Sequence, residues 1–206
     1  MSTTIQMARD ERADFASLLD ELTPQQWQHP SLCEGWRVRD VVAHAFSFDE
    51  LSRPELIGRL LRGRFSVQRI NALGVASYAG STPDELRALV RAHLYPRGLT
   101  AGFSGLIALL DAMVHQQDIR RPLNLPRIIP PARLRAALDF ARYAPPTRGV
   151  WRARGLRLVA DDLDWSHGRG AEVHGSGEAL LMAMAGRTAA LGDLTGPGKT
   201  TLAERI

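Results

Sequence analysis

The stretch LLDAMVHQQDIRRPL, residues 109–123, organises the rest of this chain. Its apolar residues recur at helical spacing, and Asp111 and His115 lie four residues apart, one turn above the other on the same face. Asp118 follows one turn later, and Pro122 ends the helix because its ring cannot continue it. A carboxylate and an imidazole at this spacing can chelate a metal ion, although an ordinary acid–histidine pair on a solvated face has the same spacing.

The composition is that of a globular protein. The chain has 206 residues, of which 45% are hydrophobic and 23% are charged, so it is long enough to bury a core and is not of the disordered type. No apolar run reaches the roughly 20 residues of a membrane-spanning helix, and the charged N-terminus lacks the pattern of a signal peptide. We therefore expect a cytoplasmic protein without a membrane partner. The single cysteine, Cys33, excludes an internal disulfide and fits a reducing compartment.

The net charge of +4 raises the alternative of a nucleic-acid-binding regulator. Almost all the basic residues are arginines, and they are spread along the chain without a basic arm or interleaved aromatic residues. Gly198, Lys199 and Thr200 resemble the end of a phosphate-binding loop, but the position that requires glycine, five residues earlier, is Asp193. These patterns give nucleic acid and nucleotides little support as partners.

The first part of the chain is predicted to form a bundle of four or more helices. Apolar residues at helical spacing predict amphipathic helices over residues 8–22, 38–51, 83–94, 105–121 and 131–144. His44 lies on the apolar stripe of the second helix and therefore points inward, either as a core histidine or as a ligand that meets Asp111 and His115 across the bundle. Residues 54–77 are helical material broken by glycines and rich in arginine, and no chemistry is predicted there.

The composition changes after the pair Pro145-Pro146. We expect a helical bundle over residues 1–147 and a small α+β domain over residues 148–206. The predicted elements of this second domain are strands over 155–160 and 171–174, a helix that begins at Ser176, and a last strand over 200–206.

Three segments together resemble the mycothiol-dependent maleylpyruvate isomerase family, which belongs to the wider DinB-like metalloenzymes. They are an entry segment, residues 22–27 (LTPQQW) and 31–44 (SLCEGWRVRDVVAH), a later helix, residues 111–123 (DAMVHQQDIRRPL), and a more diffuse tail, residues 155–164, 173–175 and 185–187. The resemblance covers nearly the whole chain, and the entry segment is its most specific part. It implies a mainly α fold, a DinB-like four-helix bundle followed by a small α+β C-terminal domain.

The resemblance also implies a divalent metal ion, with zinc first and nickel or iron as alternatives, held by His44, Asp111 and His115. Relatives often carry glutamate or histidine at the position of Asp111. The shorter aspartate leaves Asp118 as an alternative acidic ligand or as a residue that orients a ligand. Three ligands of the nitrogen and oxygen type leave a coordination position open, which is typical of catalytic rather than structural sites.

The activity that the resemblance implies is thiol chemistry. Mycothiol or a similar low-molecular-weight thiol would be the cosubstrate, and its thiolate would attack a small electrophilic substrate, transiently in an isomerisation or permanently in an S-transfer. Arg120, Arg121 and Arg187 are candidate catalytic residues that could clamp a substrate carboxylate, with a solvated helix end or an ion pair as the alternative for the first two. Cys33 is expected to be a buried structural thiol rather than a nucleophile.

Two alternatives to this enzyme stay open. One is a metal-binding or stress-related protein of the same fold without catalysis, and the other is the arginine-rich regulator considered above. The identity of the electrophile is not encoded in these patterns, and the oligomeric state is left between monomer and homodimer.

Overall fold

The computed structural model describes residues 2–144 and 147–206, so the pair Pro145-Pro146 lies outside the described residues. The chain divides into two compact units, Met1–Pro126 and Arg127–Ile206. The expected mainly α fold, a helical bundle followed by a small α+β region, is confirmed. No helix within the described ranges is long and apolar enough to cross a membrane.

The first unit is helical. Its helices are α1 (Thr4–Glu21), α2 (Pro24–Trp27), α3 (Val38–Phe46), α4 (Arg53–Arg62), α5 (Val67–Ala76), α6 (Pro83–Ala92) and α7 (Leu106–Arg120). Four of them form the bundle, because α1 and α3 each pack against both α6 and α7. Helix α5 packs on α3, and α4 packs on α5.

Capping residues fix where several of these helices begin. The hydroxyl groups of Thr3, Thr23 and Thr82 each accept a hydrogen bond from the backbone three residues later, and a glutamine or glutamate there bonds back. Large apolar side chains then fill the space between the helices, and each contributes roughly 1.5–3 kcal/mol when fully buried. The members with almost no exposure include Phe15, Leu19, Trp27, Phe46 and Leu86.

Helix α7 is the central helix of the bundle. It begins after Gly105, which has a φ of +88°, and a Cβ at this position would lie 2.8 Å from Cδ1 and 3.1 Å from Cα of Ile5. Only glycine satisfies both the left-handed backbone and this close approach of α1. Every residue from 108 to 119 except Asp111 is buried. The helix therefore carries its polar side chains inside the bundle rather than on an outer face.

The second unit combines helices with a three-stranded sheet in the order β2-β1-β3. Its elements are α8 (Pro131–Ala141), α9 (Gly149–Arg152), β1 (Leu156–Ala160), β2 (Ser166–Gly168), β3 (Ala171–Gly175), α10 (Gly177–Met184) and α11 (Lys199–Ala203). Strand β1 pairs antiparallel with β2 and parallel with β3, with Leu158 opposite His167 and Val173. Helices α8 and α10 pack on each other.

The structure differs from the sequence predictions at two elements of the second unit. The last strand expected over 200–206 is wrong, because α11 occupies this segment after a turn in which the Gly198 N–H donates to the Glu172 carbonyl. Strand β2 was not predicted, since three residues are too few to show an alternating pattern.

The contacts group residues 127–147 with the second unit, whereas the sequence analysis placed them with the bundle. The reason is the packing of α8 on α10, where a Cβ at Gly177 would lie 2.9 Å from Cδ2 of Leu134. Whether residues 1–147 fold as an independent domain stays a prediction.

Candidate metal centre

His44 is placed by α3. Asp40 accepts a hydrogen bond from the Arg37 N–H and caps the start of the helix. Val38, Val41, Val42 and Ala45 then turn toward the core and are buried. His44 shares this inward side and is 8% exposed, so it points into the bundle as the apolar stripe predicted.

The loop before α3 is tied to the end of α7. The Leu32 N–H donates to the Asp118 carbonyl at 3.0 Å, and the Ser31 hydroxyl donates to the Trp36 carbonyl at 2.8 Å. This anchoring brings Cys33 beside the Asp118 side chain. Cys33 is only partly buried, whereas the sequence predicted a buried structural thiol.

The structure brings His44, Asp111 and His115 together. One potential ligand atom from each lies within 4.8 Å of the others. His115 Nε2 is 3.5 Å from Asp111 Oδ1, and the two imidazole rings are 4.9 Å apart and nearly perpendicular. Two ligand atoms that share a tetrahedral zinc ion, with bonds of about 2.1 Å, lie roughly 3.4 Å apart. The spacing and the donor types therefore fit a divalent cation.

A hydrogen bond fixes the orientation of His115. Its Nδ1 lies 2.9 Å from Oδ2 of Asp118, a side chain with no exposed surface. A carboxylate only accepts, so Nδ1 carries a proton, and Nε2 is the ring nitrogen that faces Asp111. The same Oδ2 accepts the thiol hydrogen of Cys33, whose Sγ lies 3.1 Å away. A carboxylate behind a histidine in this way is typical of the support given to metal ligands.

Cys33, His115 and Asp118 form a second group of donor atoms within 4.8 Å of one another. The contacts between them are the hydrogen bonds just described, with Asp118 as the shared acceptor. This group therefore lies next to the first cluster and holds His115 in its orientation. The contact of Cys33 with Asp118 was not predicted from the sequence.

Burial and charge act in opposite directions on the two ionisable groups of the cluster. Burial lowers the pKa of His115, but the charge of Asp111 and hydrogen bonds with Asp111, Asp118 and Cys33 outweigh it and raise the pKa well above its ordinary 6.5. Burial raises the pKa of Asp111, and the charges and hydrogen bonding of His115, together with the charge of His44, bring it below its ordinary value. Without a metal ion, the two groups therefore form an ion pair.

Aromatic side chains surround His44. The Trp36 ring centroid lies 4.9 Å from the His44 centroid, and the Phe48 ring meets His44 edge to face at 6.2 Å. Such rings exclude water from one side of the imidazole and hold its orientation by packing. The side chain of Asp111, which is 32% exposed, leaves the cluster accessible from its own side.

The three arginines predicted to bind a substrate carboxylate form hydrogen bonds within their own segments. Arg120, at the end of α7, donates to Gln116 Oε1 and to the Leu125 carbonyl, each at 3.4 Å. Arg121 follows directly and donates its backbone N–H to the Gln117 carbonyl. Arg187 belongs to the second unit, where it donates to the Ala185 carbonyl at 2.8 Å. Their part in binding a substrate stays a prediction.

The fold and the cluster define a helical-bundle protein with a candidate histidine–carboxylate metal centre. The family model described as the mycothiol maleylpyruvate isomerase N-terminal domain matches residues 8–120, which is more than half of the chain. The chain belongs to this family, as its sequence segments indicated. A comparison with curated proteins found no match.

Two solved structures share the fold. The crystal structure of the mycothiol-dependent maleylpyruvate isomerase covers 97% of this chain and 97% of its own, with a TM-score of 0.63 and 17% sequence identity. A histidine-to-alanine mutant of the mycothiol-dependent maleylpyruvate isomerase covers the same shares, with a TM-score of 0.61 and 18% identity. At these identities the likeness establishes the fold.

Proposed function

We propose that this chain is a divalent-metal-dependent enzyme that uses a low-molecular-weight thiol, mycothiol or a close analogue, to isomerise or S-conjugate a small electrophilic substrate. The observation that carries the proposal is the cluster of His44, Asp111 and His115, in which Asp118 orients a ligand histidine. Family membership supplies the thiol and the class of reaction, since both are in the family's name.

The donor set determines which ions fit. Two imidazole nitrogens and one carboxylate oxygen suit zinc, and also nickel or iron. Three protein ligands leave room in the coordination sphere for a small molecule, as catalytic zinc sites do. A divalent ion held here would favour the thiolate form of a coordinated thiol, which is the nucleophilic form of sulfur.

Side chains around the cluster hold its candidate ligands in place. Asp118 keeps the proton of His115 on Nδ1, so that Nε2 stays available as a ligand. Trp36 and Phe48 enclose His44 and reduce the access of water to the cluster. Cys33 donates its thiol hydrogen to Asp118 and thereby acts on His115 through that carboxylate, not as the nucleophile.

The first test is the metal content of purified, tag-free protein by elemental analysis. We expect about one divalent ion per chain in the parent and a loss of the ion in His44→Ala and His115→Ala. His29→Ala is the matched control, because the His29 side chain is exposed and its ring Nδ1 bonds to the neighbouring Pro30 carbonyl. Circular dichroism shows whether each variant stays folded.

The second test is thiol-dependent turnover by the metal-loaded protein. Maleylpyruvate with mycothiol tests isomerisation, and 1-chloro-2,4-dinitrobenzene with mycothiol tests S-transfer. A parent that stays metal-free after incubation with zinc or nickel contradicts the metal centre. A loaded protein that neither isomerises nor consumes thiol leaves a metal-binding protein without catalysis.

A further inference from the structure

Arg59 on α4 is a buried cation without a carboxylate partner. The residue is 7% exposed, and within residues 2–144 and 147–206 no carboxylate oxygen lies within ion-pair distance of its guanidinium. Buried charges in proteins are normally paired, because removing an ion from water costs several kcal/mol. An arginine in this condition needs either neutral partners that hold it or an anion from outside the chain.

Neutral groups hold one side of the guanidinium. Arg59 Nη1 donates to the Ser47 carbonyl at 3.2 Å and to the Ser47 hydroxyl at 3.0 Å, and Cζ lies 5.2 Å from the Phe48 ring centroid. Gly74 makes this arrangement possible, because a Cβ there would lie 2.6 Å from Ser47 Oγ and 3.0 Å from Arg59 Nη1. Nε and Nη2 form the other edge of the guanidinium. None of the described residues accepts a hydrogen bond from either of these atoms.

The acids nearest in sequence are engaged elsewhere. Asp49 forms a two-pronged ion pair with Arg12. Glu50 accepts the hydroxyl hydrogen of Tyr78, and Glu55 accepts from the N–H and the hydroxyl of Ser52. Burial is the largest cause that lowers the pKa of Arg59 below its ordinary value; the like charge of Arg62 adds to it, and the interactions with Tyr78 and with the charge of Glu55 oppose it. The fold thus fixes a guanidinium in place with no carboxylate of the described residues in direct contact with it, and Glu55 acts on it only through its charge.

Phe48 connects this guanidinium to the candidate metal centre. One aromatic ring carries Arg59 on its face and meets His44 edge to face, with ring centroids 6.2 Å apart. A small molecule that reaches the cluster of His44, Asp111 and His115 therefore lies one ring away from an unpaired cation. No sequence pattern indicates this, because contacts between residues distant in sequence cannot be inferred from arginines scattered along the chain.

We propose that Arg59 binds a carboxylate of the small electrophilic substrate through the paired donors Nε and Nη2. This edge of the fork matches the two oxygens of a carboxylate. That the bound carboxylate belongs to the substrate rests on the proposed function. Binding of an anion by Arg59 does not itself require the metal ion. Arg59 is accordingly a specificity-determining residue, which selects an electrophile that carries a carboxylate over a neutral electrophile.

The test is the binding of maleate, an unreactive cis-dicarboxylate probe, by isothermal titration calorimetry and by the shift in Tm. We expect Arg59→Gln to weaken maleate binding by about 30-fold or more, as truncation of a buried charge partner does. Arg59→Lys, which keeps the charge but loses the fork, should fall between Arg59→Gln and the parent. Arg69→Gln is the matched control. Arg69 is exposed, and the substitution removes the same charge from the neighbouring helix α5.

The ligand-free variants separate a binding role from a structural one. Arg59→Gln loses the hydrogen bonds to Ser47 but also removes the cost of burying a charge, so the Tm of the ligand-free variant should stay close to that of the parent. A lower Tm together with unchanged maleate affinity would show that Arg59 is structural, and the proposal would fail.

His44→Ala separates this inference from the proposed function. If maleate still binds to His44→Ala and not to Arg59→Gln, the carboxylate site stands whatever becomes of the metal centre. If binding is lost in His44→Ala and retained in Arg59→Gln, maleate binds at the metal centre, which overturns the role of Arg59 and leaves the proposed function intact.

Discussion

His115 Nδ1 lies 2.9 Å from Asp118 Oδ2, and this contact decides which ring nitrogen faces the candidate metal centre. The two residues are one turn apart on α7, so the helix itself sets their distance. One helix therefore supplies a candidate carboxylate ligand, a candidate histidine ligand and the group that orients the histidine.

Asp118→Asn should weaken zinc binding by roughly 10–100-fold, because the support of a ligand histidine by a carboxylate contributes about this much. The measurement is competition for zinc with a chromogenic chelator. Asp10→Asn, at a half-buried acid paired with Arg9, is the control and should bind zinc like the parent. Equal affinity in all three proteins would show that Asp118 has no part in the site.

Asp111→Glu should keep one metal ion per chain, whereas Asp111→Ala should lose much of the affinity. The Asp111 side chain is 32% exposed, so one more methylene can be accommodated without a clash inside the bundle. Elemental analysis after dialysis against a chelator distinguishes the two. Full occupancy in Asp111→Ala would mean that Asp118 is the acidic ligand instead.

Asp49→Ala should reduce the free energy of unfolding by about 3–5 kcal/mol, since it leaves the buried Arg12 without its partner. The side chains of this pair are 1% and 0% exposed, and Asp49 also accepts from the Arg97 N–H and the Thr100 hydroxyl. Urea unfolding gives the value. Asp20→Ala, which breaks an exposed pair with Arg91, should cost no more than about 1 kcal/mol.

His174 should titrate above its ordinary pKa of 6.5, because hydrogen bonds with Glu172 and Asp161 favour the imidazolium. The folded state then holds this proton more tightly than the unfolded state. The resulting stabilisation is complete below about pH 6.5 and is lost as the pH rises through the folded pKa. An NMR titration of the ring protons measures the midpoint directly.

Glu172→Gln should lower that midpoint toward 6.5, because His174 Nε2 then loses the carboxylate that lies 2.9 Å away. Glu204→Gln, at an exposed position of the same unit, should leave it unchanged. A midpoint at or below 6.5 in the parent would rule out the pairing.

The bundle and the central cluster could be predicted from the sequence because both depend on local periodicity. His44 lies on an apolar stripe, and Asp111 and His115 are one turn apart, so a helical pattern is enough to put each on its helix face, whereas the set of three was implied by the family resemblance. The contact between Cys33 and Asp118 could not be predicted, since it depends on the Leu32 N–H reaching a carbonyl at the far end of α7. The lack of a carboxylate in contact with Arg59 could not be predicted either, because ion pairing depends on residues that are distant in sequence.

The second unit shows the same limit. Strand β1 was found from its alternation, but three-residue β2 was too short to show one. The last segment was expected to be a strand and is α11, which begins directly after Gly198. Local propensity alone does not decide between the two in a segment this short.

His44 and His115 lie on α3 and α7, two helices that are far apart in sequence and packed together in the bundle. An ion bound between them would link the two helices reversibly. It would stabilise the folded chain by about 1.4 kcal/mol for each tenfold excess of free metal over its dissociation constant. Metal supply would then govern how long the folded protein survives as well as how fast it works, and a starved cell would lose both together.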